Sequence, residues 1–167
     1  MSRNSLIAVG AGLIMLGSVA AASAKPNQAF LTDAIQGNLA EISMGQLAQK
    51  NGGSDGVRSF GQMLVQDHSA ANEKAKSLAQ AQGVTSPTAP KPEAKTEFDR
   101  LSKLNGDAFD KEFAKRMVAD HKQDIAEFEA QAKGGDEVAS FAKDTLPTLQ
   151  KHLQTAQSLT SGTPARQ

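Results

Sequence analysis

Three histidines stand in this chain of 167 residues, and each is placed where an imidazole could do coordination chemistry. His68 follows Asp67 in QMLVQDHSAA, His121 follows Asp120 in KRMVADHKQD, and His152 lies in LPTLQKHLQT. Neutral imidazole and carboxylate are ligands for transition metals, and facing helices of a bundle are common places to build such sites. Against this stands a plainer role. A lone histidine on an apolar face is more often a hydrogen-bonded core residue, and a buried His and Glu can satisfy each other, since an unpaired buried polar group costs about 1–3 kcal/mol. Where the surrounding elements point these side chains decides how far each reading goes.

Apolar periodicity predicts four long helices, at about 28–50, 55–82, 107–133 and 136–159, and no strand. NGGS alone separates the first two, with Ser54 as an N-cap, and GG alone separates the last two, with Asp136 as an N-cap. Each pair therefore reads as an antiparallel hairpin. Between the pairs runs a long connection with prolines at 87, 90 and 92 and a short helix around Phe98, Leu101 and Leu104, long enough to cross back along the bundle. VRSFG and VASFA open the second helix of each hairpin, a weak sign of duplication.

At about 100° per residue, His68 falls within the stripe of Val57, Phe60, Leu64, Ala71, Ala75 and Leu78. His121, with Asp124 on the same side, falls within that of Phe109, Phe113, Met117, Val118, Ile125 and Phe128. His152 joins Val138, Phe141, Leu149, Leu153, Ala156 and Leu159. The first helix presents Phe30, Leu31, Ala34, Ile35, Leu39 and Ile42, interrupted by Asn38 and Glu41. At 1.5 Å per residue, Glu41 and the three histidines come within about one turn of a common level. Glu41, His68, His121 and His152 are thus the expected ligands of one Zn, Cu, Mn or Fe ion, with Zn favouring four-coordination. Asp124 is expected as a further ligand or an orienting group, Asp67 and Asp120 as edge salt-bridge or orienting groups, and Met63 and Met117 as plain core. Gly37, Gly45 and Gly61 suggest close helix approach, and Pro147 a kink near His152.

Composition narrows the alternatives. The N-terminus, MSRNSLIAVGAGLIMLGSVAAASAKP, carries an early arginine, an apolar run from Leu6 to Val19 and the small-residue site Ala22-Ser23-Ala24. It reads as a signal peptide, 1–24, cleaved to give a periplasmic or secreted protein, since the run is shorter than the roughly 20 residues that span a membrane. The remainder is expected to hold one helical domain at 27–160 and a flexible tail at 161–167. Basic and acidic residues number 18 each, which gives no reason to expect a nucleic-acid partner. The absence of cysteine excludes disulfides, thiolate metal sites, c-type haem attachment and lipidation at an N-terminal cysteine. Without Trp or Tyr, and without strand-like alternation, neither an aromatic-girdled barrel nor stable membrane insertion is expected.

Across Phe30 to Leu159 the chain resembles the DUF4142 family of exported bacterial proteins, placed in the ferritin-like group. The resemblance rests on Ala40-Glu41-Ile42, Val57-Arg58-Ser59-Phe60 leading to Asp67-His68, Gly106-Asp107-Ala108-Phe109-Asp110, Asp120-His121, and Phe141-Ala142 through Leu146-Pro147 to His152-Leu153. It implies an all-α, ferritin-like four-helix bundle with a long crossover. Di-iron members of that group supply one Glu from each of two helices and Glu-x-x-His from each of the others. Here Val65 and Leu149 stand three residues before His68 and His152, so the bridging carboxylates are missing. The expectation is therefore a non-catalytic bundle holding one transition-metal ion. A structural, interaction or stress-protective bundle with a metal-free His cluster is the alternative, and a metal-dependent oxidoreductase the third possibility.

Overall fold

A computed structural model describes residues 23–161; most of the expected signal peptide and of the expected tail lies outside them. The described chain is helical: α1 (Asn27–Asn51), α2 (Asp55–Ala81), the short α3 (Pro92–Leu101), α4 (Gly106–Gln131) and α5 (Glu137–Thr160). Among the described residues the only strand-type pairing is an isolated bridge between Gly52 and Gly106. No helix among them is long and apolar enough to cross a membrane.

The predicted caps hold the hairpins. The Ser54 hydroxyl accepts from the Val57 N–H at 3.3 Å, and the Asp136 carboxylate from the Ala139 N–H at 2.8 Å, each satisfying an orphan donor of a first turn. α1 packs along α2 and α4 along α5; the two hairpins then meet through α2 against α5, and α1 touches α4 only sparsely. Gly45 and Gly61 explain the intimate α1–α2 contact, because a Cβ on either would stand 2.6 Å from the other's carbonyl oxygen. Gly37 does not share that role: a Cβ there would meet nothing within 4 Å.

The α1–α2 turn is fastened to the start of α4. Both carboxylate oxygens of Asp110 accept from this turn, from the Gly53 and Ser54 N–H groups at 2.8 Å each, and the Asn51 amide donates to the Leu104 carbonyl at 2.8 Å. α3 starts at Pro92, whose missing N–H is no loss in a first turn, and plugs Leu101 into the core. Leu104, expected within this helix, follows it and caps the same apolar cluster.

Two apolar clusters fill the ends of the bundle. One gathers Phe30, Ile35, Phe128 and Phe141, with the Phe30 and Phe128 rings 4.9 Å apart. The other gathers Met44, Leu64, Phe109, Phe113 and Met117, with Phe109 stacked on Phe113 at 5.4 Å. Between them lies a layer of buried polar side chains, Asn38, Glu41, His68, His121 and His152. α5 runs through Pro147 without interruption.

Candidate metal centre

His68, His121 and His152 come from α2, α4 and α5, and all three are buried, the last two completely. Their ring centroids are 5.2 to 5.8 Å apart, and one ligating nitrogen of each lies within 4.8 Å of the others. Phe60 floors the group, its centroid 6.0 Å from that of His152 and 6.5 Å from that of His121.

The outward nitrogen of every ring has an acceptor. His68 Nδ1 donates to Asn38 Oδ1 at 2.9 Å, His121 Nδ1 to the Met117 carbonyl at 2.9 Å, and His152 Nε2 to the Asp67 carboxylate at 2.9 Å. A neutral imidazole carries one N–H, so these acceptors leave His68 Nε2, His121 Nε2 and His152 Nδ1 as lone-pair nitrogens. His121 Nε2 and His152 Nδ1 then face each other at 3.3 Å with no proton between them. Two ligand nitrogens about 2.0–2.1 Å from one tetrahedral ion lie about 3.3–3.4 Å apart, so this spacing suits a shared cation.

Burial keeps the rings neutral. It holds His68 well below the ordinary imidazole range, with His121 and His152 adding to the effect. Burial likewise lowers His121, and it takes His152 to about 4 against the opposing pull of Asp67. Neutral rings are the ligating form.

Glu41 is buried in the same layer but lies outside the group of mutually close nitrogens. It lines a cleft of about 170 Å³ between α1 and α4 that also reaches His68 and includes Asp120, Asp124 and Arg116. Burial, then repulsion from Asp120, pushes the Glu41 carboxyl up to about 8; burial, then Glu41, raises the half-buried Asp124 to about 7. Asp120 pairs with Arg116 at 2.6 Å, an edge salt bridge as expected. Asp67 orients an imidazole, but that of His152 across the α2–α5 interface rather than its sequence neighbour. Met117 is plain core through its side chain, while its carbonyl holds His121. The role of Asn38 was not apparent from sequence; its only signal was a polar residue breaking the apolar stripe of α1.

The family described as "Domain of unknown function (DUF4142)" matches residues 16–159. The chain belongs to the DUF4142 family. This DUF4142 chain is also similar in fold to the crystal structure of a DUF305 fragment from Deinococcus radiodurans, with a TM-score of 0.73 and 15% identity over 84% of this chain and 99% of that one. No curated protein matches it.

Proposed function

We propose that this DUF4142 protein is an exported, non-catalytic bundle of ferritin-like arrangement that holds one transition-metal ion through His68, His121 and His152. The observation that carries the reading is three buried rings, each offering a nitrogen within 4.8 Å of the others and each holding an acceptor on one ring nitrogen. Metal-ligating histidines almost always donate their other N–H to a carboxylate, carbonyl or similar acceptor, as all three do here. A purely structural cluster is harder to satisfy. Placing a proton between His121 and His152 would turn a lone pair toward either the Met117 carbonyl or the Asp67 carboxylate, and His68 Nε2 has no partner in either case.

The donor set narrows the metal. Three neutral imidazoles suit Zn, Cu or Fe better than Mn, which favours oxygen ligands. The ferritin-like arrangement is supported by two antiparallel hairpins joined by a long connection. An exported, periplasmic or secreted location rests on the sequence at 1–24.

Metal analysis of the mature protein, purified without a histidine tag, tests the reading. Stoichiometric metal that disappears in the His68→Ala/His121→Ala double variant is the expected result. Metal-free protein whose melting temperature ignores added Zn, Cu, Mn and Fe would return the cluster to a structural role.

A further inference from the structure

The three histidines supply three ligands, and among the described residues no fourth His, Cys, Asp or Glu joins the group of close ligand atoms. Centres with three protein ligands keep a position for water or another exogenous ligand, whereas closed structural sites fill all four. The α1–α4 cleft lies where such a ligand could enter, because His68 forms part of its wall.

That wall is chemically particular. His68, Asn38 and Glu41 all line it, and one polar atom of each, His68 Nε2, Asn38 Nδ2 and Glu41 Oε2, is buried without a hydrogen-bond partner. The Asn38 amide cannot turn to relieve this, since its Oδ1 is held by the His68 Nδ1–H. The two cationic side chains on the wall are already committed, Lys91 to Asp33 and Arg116 to Asp120, both at 2.6 Å. A cavity of about 150 Å³ holds benzene, so the 170 Å³ here admits a molecule of about six heavy atoms.

We propose that the α1–α4 cleft binds a small oxygen- or nitrogen-donor ligand that completes the coordination of the tri-histidine centre, with Asn38 and Glu41 as the polar groups that receive it. This rests on the metal reading above. Gly37 keeps the passage open: it lines the cleft, and a Cβ there would touch nothing. Gly37→Leu should fill the passage while removing a poor helix former, so folding is not put at risk.

The test uses the full mature chain loaded with Co²⁺, whose visible bands report ligand exchange, and imidazole at about pH 8, where it is uncharged. Imidazole should shift the bands saturably while cobalt stays bound. Gly37→Leu should retain one cobalt per chain and weaken imidazole by about tenfold or more through steric overlap. Bands blind to imidazole, cobalt stripped by it, or an unaltered response in Gly37→Leu would each overturn this inference and leave the metal centre standing. Failure to bind cobalt at all would overturn both.

Discussion

The histidines and the carboxyl groups occupy the same buried layer, yet their hydrogen bonding differs. Each histidine is gripped from behind by an acceptor on a neighbouring helix or the preceding turn, so its free nitrogen can point only inward. Glu41 and Asp124 line a cleft instead, and Glu41 Oε2 has no partner. The difference follows from helix packing: α2, α4 and α5 supply the rings, whereas α1 meets α4 sparsely. Engagement from behind preorganises ligands, and slack packing between helices leaves access to them.

Removing a ring should break this contrast most severely. His121→Ala is expected to abolish stoichiometric metal binding and, with it, a metal-induced rise in melting temperature on the order of 10 °C at a hundredfold excess over Kd. Calorimetry with and without metal measures both; a variant that retained the rise would remove His121 from the ligand set. Removing only the rear support should do less. Asp67→Ala leaves all three rings in place but frees His152 to turn, so metal affinity should fall by about 10–100-fold. Competition against a chelating dye reads this, and an unchanged Kd would reduce the Asp67 contact to a surface salt bridge.

The smallest effect concerns the metal-free protein and pH. Glu41 and Asp124, raised to about 8 and about 7, hold protons in the folded state that the unfolded chain releases. Their stabilising contribution is full at low pH and is lost as pH rises through those values. The histidines work oppositely. Lowered by burial, with His152 at about 4, they contribute fully above their ordinary value of 6.5 and lose that contribution as pH falls toward 4. Melting temperature should therefore peak at about pH 6, and Glu41→Gln should flatten the alkaline side. An alkaline side as steep as in the parent would remove Glu41 as its source.

Much of this layer was legible because helical periodicity states direction and depth along each rod. It put His68, His121 and His152 on core faces at one level, and the short GG-containing connections forced the hairpins. What it could not state is how one helix is rotated or shifted against another. Asp67 therefore gave no sign of reaching His152 rather than serving its neighbour, and Asn38 read as a flaw in an apolar stripe rather than as the acceptor for His68. Glu41 was legible at the right height, on the edge of its stripe, but its burial and its place on the cleft side of the layer were not. Likewise Gly37, Gly45 and Gly61 look alike in sequence; only the spacing of α1 from its neighbours separates two contact glycines from one that lines a cavity.

X-ray absorption at the metal edge of the Zn-loaded protein reaches the central claim most directly. Three imidazole nitrogens at about 2.0–2.1 Å, with their ring scattering and one further light atom, are the predicted shell. A shell dominated by oxygen, or one lacking the outer scattering of three rings, would contradict it.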